Sequence, residues 1–305
     1  MNKASEDCLN ASNAAKEKIS LVSSGNPGLV DVAVNFVEKS LSGASGQHYK
    51  AFDPACLAIV NEINLRCGPK GVKQFLILVI SQAVLRTLAS GSFEKLSPRI
   101  INHQLKQINR ILIGLHEGAD WLDINSDFFH KEFGLASLRL YAAAAQVVDP
   151  NCGLPRSTVI KSGVSGALRG ARYILECGGF SPMFQIHTHS MYLDEFDEEG
   201  WNECYRCCAD LYLIFPEVKG MFGGSWFYDP NLLEISPRLA YLQKVPLEGG
   251  AATFFTAKEG GHVQNSIATS PTRRQLYESG RYHPLSYTLV WSKTAQVRWA
   301  HGNSP

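Results

Sequence analysis

The sequence predicts an α/β protein in which a mixed sheet flanked by helices follows an N-terminal helical region. Two patterns and one bulk property predict it. Apolar residues recur at helical spacing through residues 27–115. Across residues 135–300, apolar runs of strand length alternate with amphipathic stretches, the pattern of a sheet with crossing helices. The 305 residues are 45% hydrophobic and 19% charged, enough apolar material for one large domain or two ordinary ones.

The front of the chain reads as helices. Residues 1–25 are polar and expected to fray. From Pro27 to Leu41 the helical positions are Leu29, Val30, Val34 and Val37, and Pro27 suits a first turn. Phe52–Leu65 and Val72–Leu88 repeat the pattern on either side of the breaker Cys67-Gly68-Pro69. The apolar run Phe75–Leu88 carries Gln82 and Arg86 and falls short of the ~20 residues of a membrane span, so a buried core helix is expected. Pro98–Leu115 places Ile101, Leu105, Ile108, Leu112 and Leu115 on one face behind the N-cap Ser97. The expected division is a helical region, residues 1–118, and an α/β domain with the active cleft, residues 119–305.

Leu135–Val148 is almost uncharged and ends at Asp149-Pro150-Asn151, as a buried strand would, although Ala142–Ala145 leaves a helix open. Further strands are expected at Phe184–Tyr192, Lys219–Tyr228, Ala251–Ala257, Ser286–Trp291 and Gln296–Ala300. Helices are expected at Gly166–Cys177, Glu198–Phe215 and Val263–Ser279.

Composition narrows the function classes. Lys and Arg total 29 against 28 Asp and Glu, a net charge of +1. That balance offers neither the basic footprint of a nucleic-acid binder nor a polybasic membrane anchor. The expected partner is a small-molecule substrate, not nucleic acid or membrane. Residues 1–20 lack the apolar core of a secretory signal, so a cytoplasmic location is expected.

Four tracts carry candidate chemistry. In His187-Thr188-His189, strand alternation would point both imidazoles to one face with Gln185 and Met191. Such a pair is half of a zinc or iron site, completed by Asp194, Glu195, His262 or His283, or else it lines a substrate cleft. The acidic run Asp194–Glu199 precedes a helix that Asp197 can cap, with Asp194 and Glu195 left over as ligands or bases. Cys204 and Cys208 lie on the helical stripe Trp201, Cys204, Tyr205, Cys208, Leu211, Tyr212, Phe215 and read as core residues. Gly220–Pro230 mixes glycines with aromatics, as where a ligand approaches backbone closely; Trp226 and Tyr228 would wall a pocket. With Gln185 and Arg238 they are the candidate substrate contacts.

The last third shows a further pattern: the strand AATFFTAK, a helix ending in Leu276-Tyr277-Glu278 before Gly280-Arg281-Tyr282, then the strand SYTLVWSK. This order resembles the closing part of the N-acetyltransferase superfamily. The resemblance implies an acyl-coenzyme A donor and Tyr277 as the acid that protonates the departing thiolate, with Tyr282 where the family usually has Phe. The family holds the pyrophosphate on a glycine-bearing turn, whereas Asp229–Arg238 contains no glycine.

The expected function is therefore a small-molecule acyltransferase, with His187 or His189 as general base toward an amine or hydroxyl acceptor. The alternatives are a mononuclear iron or zinc enzyme on His187, His189, Asp194, Glu195 or His262, and a non-catalytic small-molecule binder. All eight cysteines are expected to be free thiols. Alkylation of the unfolded protein without reductant should modify all eight; a pair left unlabelled would refute this.

Overall fold

The computed structural model describes residues 3–42, 48–161 and 163–302. It is a mixed α/β protein of two compact units: residues 1–143 with 147–151, and residues 144–146 with 152–305. The division thus falls near residue 151 and not at 118. Residues 119–151 join the first unit because their helix and strand pack on the helices before them.

The first unit contains α1 (Lys3–Ser23), α2 (Gly28–Ser42), α3 (Pro54–Ala89), α4 (Pro98–Gly114), α5 (Asp127–Ala136), β1 (Tyr141–Ala143) and most of β2 (Gln146–Cys152). The segment expected to fray is helix α1, packed on α3 and α4. Its buried stripe is only Ala11 and Ala15, one turn apart, too small to register as an apolar face. Helix α3 opens on Asp53, whose side chain accepts the Ala55 N–H at 2.7 Å, and breaks at Gly68. There φ is +66°, a conformation that favours glycine, and Pro69 follows. The whole of α3 is long and apolar enough for a membrane span, yet Phe75–Ile80 are buried within the unit. Ser97 caps α4 through the Ile100 N–H at 3.4 Å, as the sequence predicts.

Phe36 centres an aromatic core, 5.6 Å from Phe75 and 6.3 Å from Phe133, which stacks on Phe129. Next to Phe133, Glu132 is wholly buried and gripped by Arg110 through two hydrogen bonds of 2.7 Å each. Burial still pushes the Glu132 carboxyl above its usual range. Leu135–Val148 is not one strand: α5 runs to Ala136, Leu138 takes φ +54°, and two short strands follow. Gln104 organises this stretch, donating to Leu135 O at 2.7 Å and accepting from Ala142 N–H at 2.8 Å.

The second unit continues with α6 (Ser157–Ile160), α7 (Gly163–Glu176), β3 (Met183–Thr188), α8 (Glu198–Leu211), β4 (Gly220–Ser225), α9 (Leu232–Ile235), α10 (Tyr241–Glu248), β5 (Ala252–Ala257), α11 (Gly261–Ala268), α12 (Pro271–Glu278), β6 (Ser286–Ser292) and α13 (Lys293–Gly302). Strands β3, β4, β6 and β5 lie in that order; β3 and β4 are parallel, and both other pairings are antiparallel. Parallel neighbours need a crossover, and α8 supplies it. Three expectations change. Lys219–Tyr228 ceases to be strand at Ser225, whose hydroxyl caps the 3-10 turn Trp226–Tyr228. Val263–Ser279 splits where Ser270 caps a new helix at Pro271. Gln296–Ala300 lies in α13, with Gln296 buried and accepting from Tyr212 Oη at 2.7 Å.

One face of this sheet buries Met183, Phe222, Phe254 and Val290 against Leu154, Val159 and Ile174. On the other, Trp291 meets Tyr205 and Trp299 at 5.2 and 5.4 Å. Cys204 and Cys208 are wholly buried on α8, and all eight cysteines are free thiols.

Removing one partner of the buried ion pair strands the other charge. Arg110→Ala should lower unfolding stability by about 3–5 kcal/mol, and the apolar pair Arg110→Leu/Glu132→Leu should recover most of it. Urea denaturation checks both.

Candidate functional site

Alternation along β3 sorts its side chains. Met183 belongs to the core on the α6–α7 side, so Gln185 and His187 share that face. Phe184 and Ile186 face the opposite way, Phe184 stacking on Tyr212 at 4.8 Å. Two ladder pairs join β3 to β4, Phe184 with Met221 and Gln185 with Phe222. Among the described residues no ladder pair follows, although β3 runs on to Thr188 and β4 to Ser225. The β3–β4 ladder therefore stops before the carboxyl ends of these parallel strands, and in open α/β sheets those ends are where ligands bind.

Two glycines follow the last ladder pair on β4. Gly223 is required by packing: a Cβ there would sit 2.7 Å from Ile186 Cγ1 and 3.3 Å from the Tyr228 hydroxyl. Gly224 points to the other face, the face of Phe222 and His187, and is exposed. A Cβ there would meet only Thr288 Oγ1, at 3.7 Å. Thr288 pairs with Gly224 in register, and its hydroxyl lies 2.8 Å from that of Thr256. His187 and Gly224 each stand two residues past the last ladder pair. The result is bare backbone in an interior strand with an imidazole on one side and two hydroxyls on the other. Such a surface suits an extended polar chain whose reacting end meets a proton acceptor.

His189 does not continue the strand face with His187. It is 1% exposed and caps the 3-10 turn Ser190–Glu195, its Nδ1 accepting the Met191 N–H at 3.1 Å. That turn carries exposed Asp194 and half-buried Glu195 to the opening of α8. There Asp197 accepts the Gly200 N–H at 2.8 Å, and Glu198 and Glu199 fill the first turn. A Cβ on Gly200 would run into the Glu195 carbonyl. The Tyr241 hydroxyl donates to Phe196 O at 3.4 Å. Burial, helped by Asp197 and Glu198, pushes this phenol up to about 12. The opening of α8 is thus capped by its own carboxylate and ringed by others, which repels phosphate and attracts cations.

The remaining candidates lie apart from one another. His187, His189, Asp194, Glu195 and His262 supply no trio of ligand atoms close enough to share a metal ion, among the described residues. His262 stands in the first turn of α11, its Nε2 buried and unpartnered among the described residues. Tyr277 is half-buried on α12 with its ring 5.6 Å from His283, which lies 3.0 Å from Lys258 O. None of its described contacts reaches His187 or His189. Trp226 and Tyr228 are buried in their turn and do not wall an open cleft. The Arg273 guanidinium lies 4.5 Å over Trp226 while donating to Ser266 O, Ser236 Oγ and Thr269 Oγ1. Asp229, wholly buried, accepts from Asn231 N–H, Leu285 N–H and the Tyr282 hydroxyl, so Tyr282 is an anchor of this network. Arg238 is exposed on the turn Pro237–Leu239.

Sequence reasoning missed Thr256, Thr288 and Tyr241. The glycine pair signalled the place on β4, but only cross-strand register brings the two threonines to it.

No family model matches the chain, and neither a curated protein nor a solved structure matches it.

The two glycines should respond differently to a methyl group. Gly223→Ala is expected to cost about 1–3 kcal/mol through overpacking on Ile186. Gly224→Ala is expected to change stability by no more than about 0.5 kcal/mol. Equal losses in urea denaturation would show that Gly224 is as closely packed as its neighbour.

Proposed function

We propose that the second unit is an acyl-transfer domain of N-acetyltransferase-like architecture acting on a small amine. The observation that carries this reading is the end of the β3–β4 ladder beside His187 and the bare Gly224. The strand ends beyond that ladder suit the extended, amide-bearing arm of an acyl thioester, which can hydrogen-bond to backbone as an added strand does. The order β5, α12, β6 extends the likeness that Leu276-Tyr277-Glu278 suggests.

The carboxylates around α8 favour an ammonium over a neutral hydroxyl as acceptor. An ammonium cannot attack until it loses a proton, and His187 is the base for that step. The free amine adds to the thioester carbonyl, the C–S bond breaks, and the thiolate takes a proton from a tyrosine hydroxyl. The proton lost by the attacking nitrogen restores that hydroxyl, so that amide and thiol are released. The resemblance assigns that acid to Tyr277; Tyr241, at the opening of α8, is the competing donor. Coenzyme A is a poor fit at this opening: its pyrophosphate would face Asp194, Glu195, Glu198 and Glu199 at a helix end already capped by Asp197. The reading accordingly uses the thioester arm alone.

S-acetyl-N-acetylcysteamine, a thioester without phosphate, offered with a panel of primary amines tests this. Thiol release and N-acetylation are expected, with His187→Ala slower by about 10²-fold or more. Tyr241→Phe and Tyr277→Phe identify the acid. Absence of amine-dependent thiol release, or unchanged turnover in His187→Ala, would overturn the reading.

A further inference from the structure

A cavity of the same unit lies away from the carboxyl ends of β3 and β4. It measures about 480 Å³ and is lined by Asn202 and Arg206 of α8, Val245 and Glu248 of α10, and Trp299 of α13. Glu248 ends α10, and the chain then enters β5 at Ala252, which pairs with Val290. Val290 in turn faces Phe222, in the half of β4 that pairs with β3. The cavity therefore sits along the helical layer and not at the carboxyl ends.

Its walls have distinct chemistry. Trp299 is backed by Trp291 at 5.4 Å and Tyr205 at 5.9 Å, which fixes the indole as a flat apolar wall. The Arg206 guanidinium lies 5.9 Å over that ring and 3.7 Å from Glu203, held but still in the lining. Asn202 Oδ1 is buried with no hydrogen-bond partner among the described residues, an acceptor that a ligand N–H would satisfy. Glu248 is an exposed carboxylate at the rim.

We infer that this cavity binds a free α-amino acid with an aromatic or large apolar side chain. The ammonium has three N–H donors and satisfies Asn202 Oδ1 and Glu248 together. The carboxylate pairs with the Arg206 guanidinium, and the side chain packs on Trp299 and Val245. A cavity of about 480 Å³ holds one amino acid with room for a second residue. This inference does not rest on the acyl-transfer reading.

Calorimetric titration of the full chain with L-phenylalanine, phenethylamine and 3-phenylpropanoate tests it. L-phenylalanine should bind, and each half-analogue should bind at least about tenfold more weakly, one charged contact being lost. Glu248→Gln, a change at an exposed position, should weaken L-phenylalanine and phenethylamine about tenfold and leave 3-phenylpropanoate unchanged. Asn202→Leu should weaken the same two ligands. The inference is overturned if L-phenylalanine gives no saturable heat up to about 10 mM, well past ordinary weak binding. It is equally overturned if 3-phenylpropanoate binds as tightly as L-phenylalanine, or if Glu248→Gln binds all three as the parent does.

Discussion

Strand β4 is held unequally along its two edges. Six register pairs tie it to β6, from Gly220–Ser292 to Ser225–Tyr287, whereas two tie it to β3. A ladder pair missing inside a sheet leaves backbone N–H and C=O groups that something else must satisfy. The antiparallel edge therefore holds β4 along its whole length, whereas on the parallel edge the ladder stops at Gln185–Phe222. Everything assigned to the cleft depends on that asymmetry. Glycines make it sterically tolerable: a side chain at Gly220 would strike the Trp291 carbonyl, and one at Gly223 would strike Ile186.

The turn that follows β4 is held by a buried polar network. Among the described residues Asp229 is buried without a cationic partner at hydrogen-bond distance, its carboxylate held by two backbone N–H groups, the Asn231 amide and a phenol. Arg273 is 2% exposed and donates to a carbonyl and two hydroxyls while it covers Trp226. Buried charges satisfied this way are costly to disturb, because removing any one donor exposes a desolvated ion. The network fixes the buried Trp226 and Tyr228, with the Tyr228 hydroxyl against Gly223 of β4. The aromatics of this tract thus serve the site from behind instead of lining it.

Where periodicity was strong, the sequence was readable. Leu105, Ile108 and Leu112 predicted α4 to within one residue of its end, and Cys204 and Cys208 predicted a buried face of α8. Where burial rests on small residues it was not: Ala11 and Ala15 are no apolar stripe by composition, yet they dock α1. Local alternation failed at His189 for another reason. Its ring nitrogen offers an acceptor to the Met191 N–H, and that capping bond ends the strand one residue before the imidazole would have joined His187. Trp226 and Tyr228 failed likewise, since Ser225 can start a turn as readily as continue a strand. The threonine pair beside Gly224 depends on a register between strands 32 residues apart in sequence, which no local pattern encodes.

Helix α8 shows how one element serves both proposed sites. Its inward stripe of Trp201, Cys204, Tyr205, Cys208 and Leu211 anchors it on the sheet. Asn202 and Arg206, four residues apart, share a flank and line the cavity beside Trp299. Its opening carries the cap Asp197 and the first-turn carboxylates Glu198 and Glu199. These three roles lie at fixed angles and heights on a rigid cylinder, so a displacement of α8 reaches both sites at once. The buried stripe opposes such displacement: Tyr205 is wedged between Trp291 at 5.2 Å and Trp299 at 5.9 Å, and Trp299 is itself the wall of that cavity. An amino acid seated on Trp299 therefore touches a ring packed against the residue that fixes α8. That is a physical route by which occupancy of one site bears on the geometry of the other.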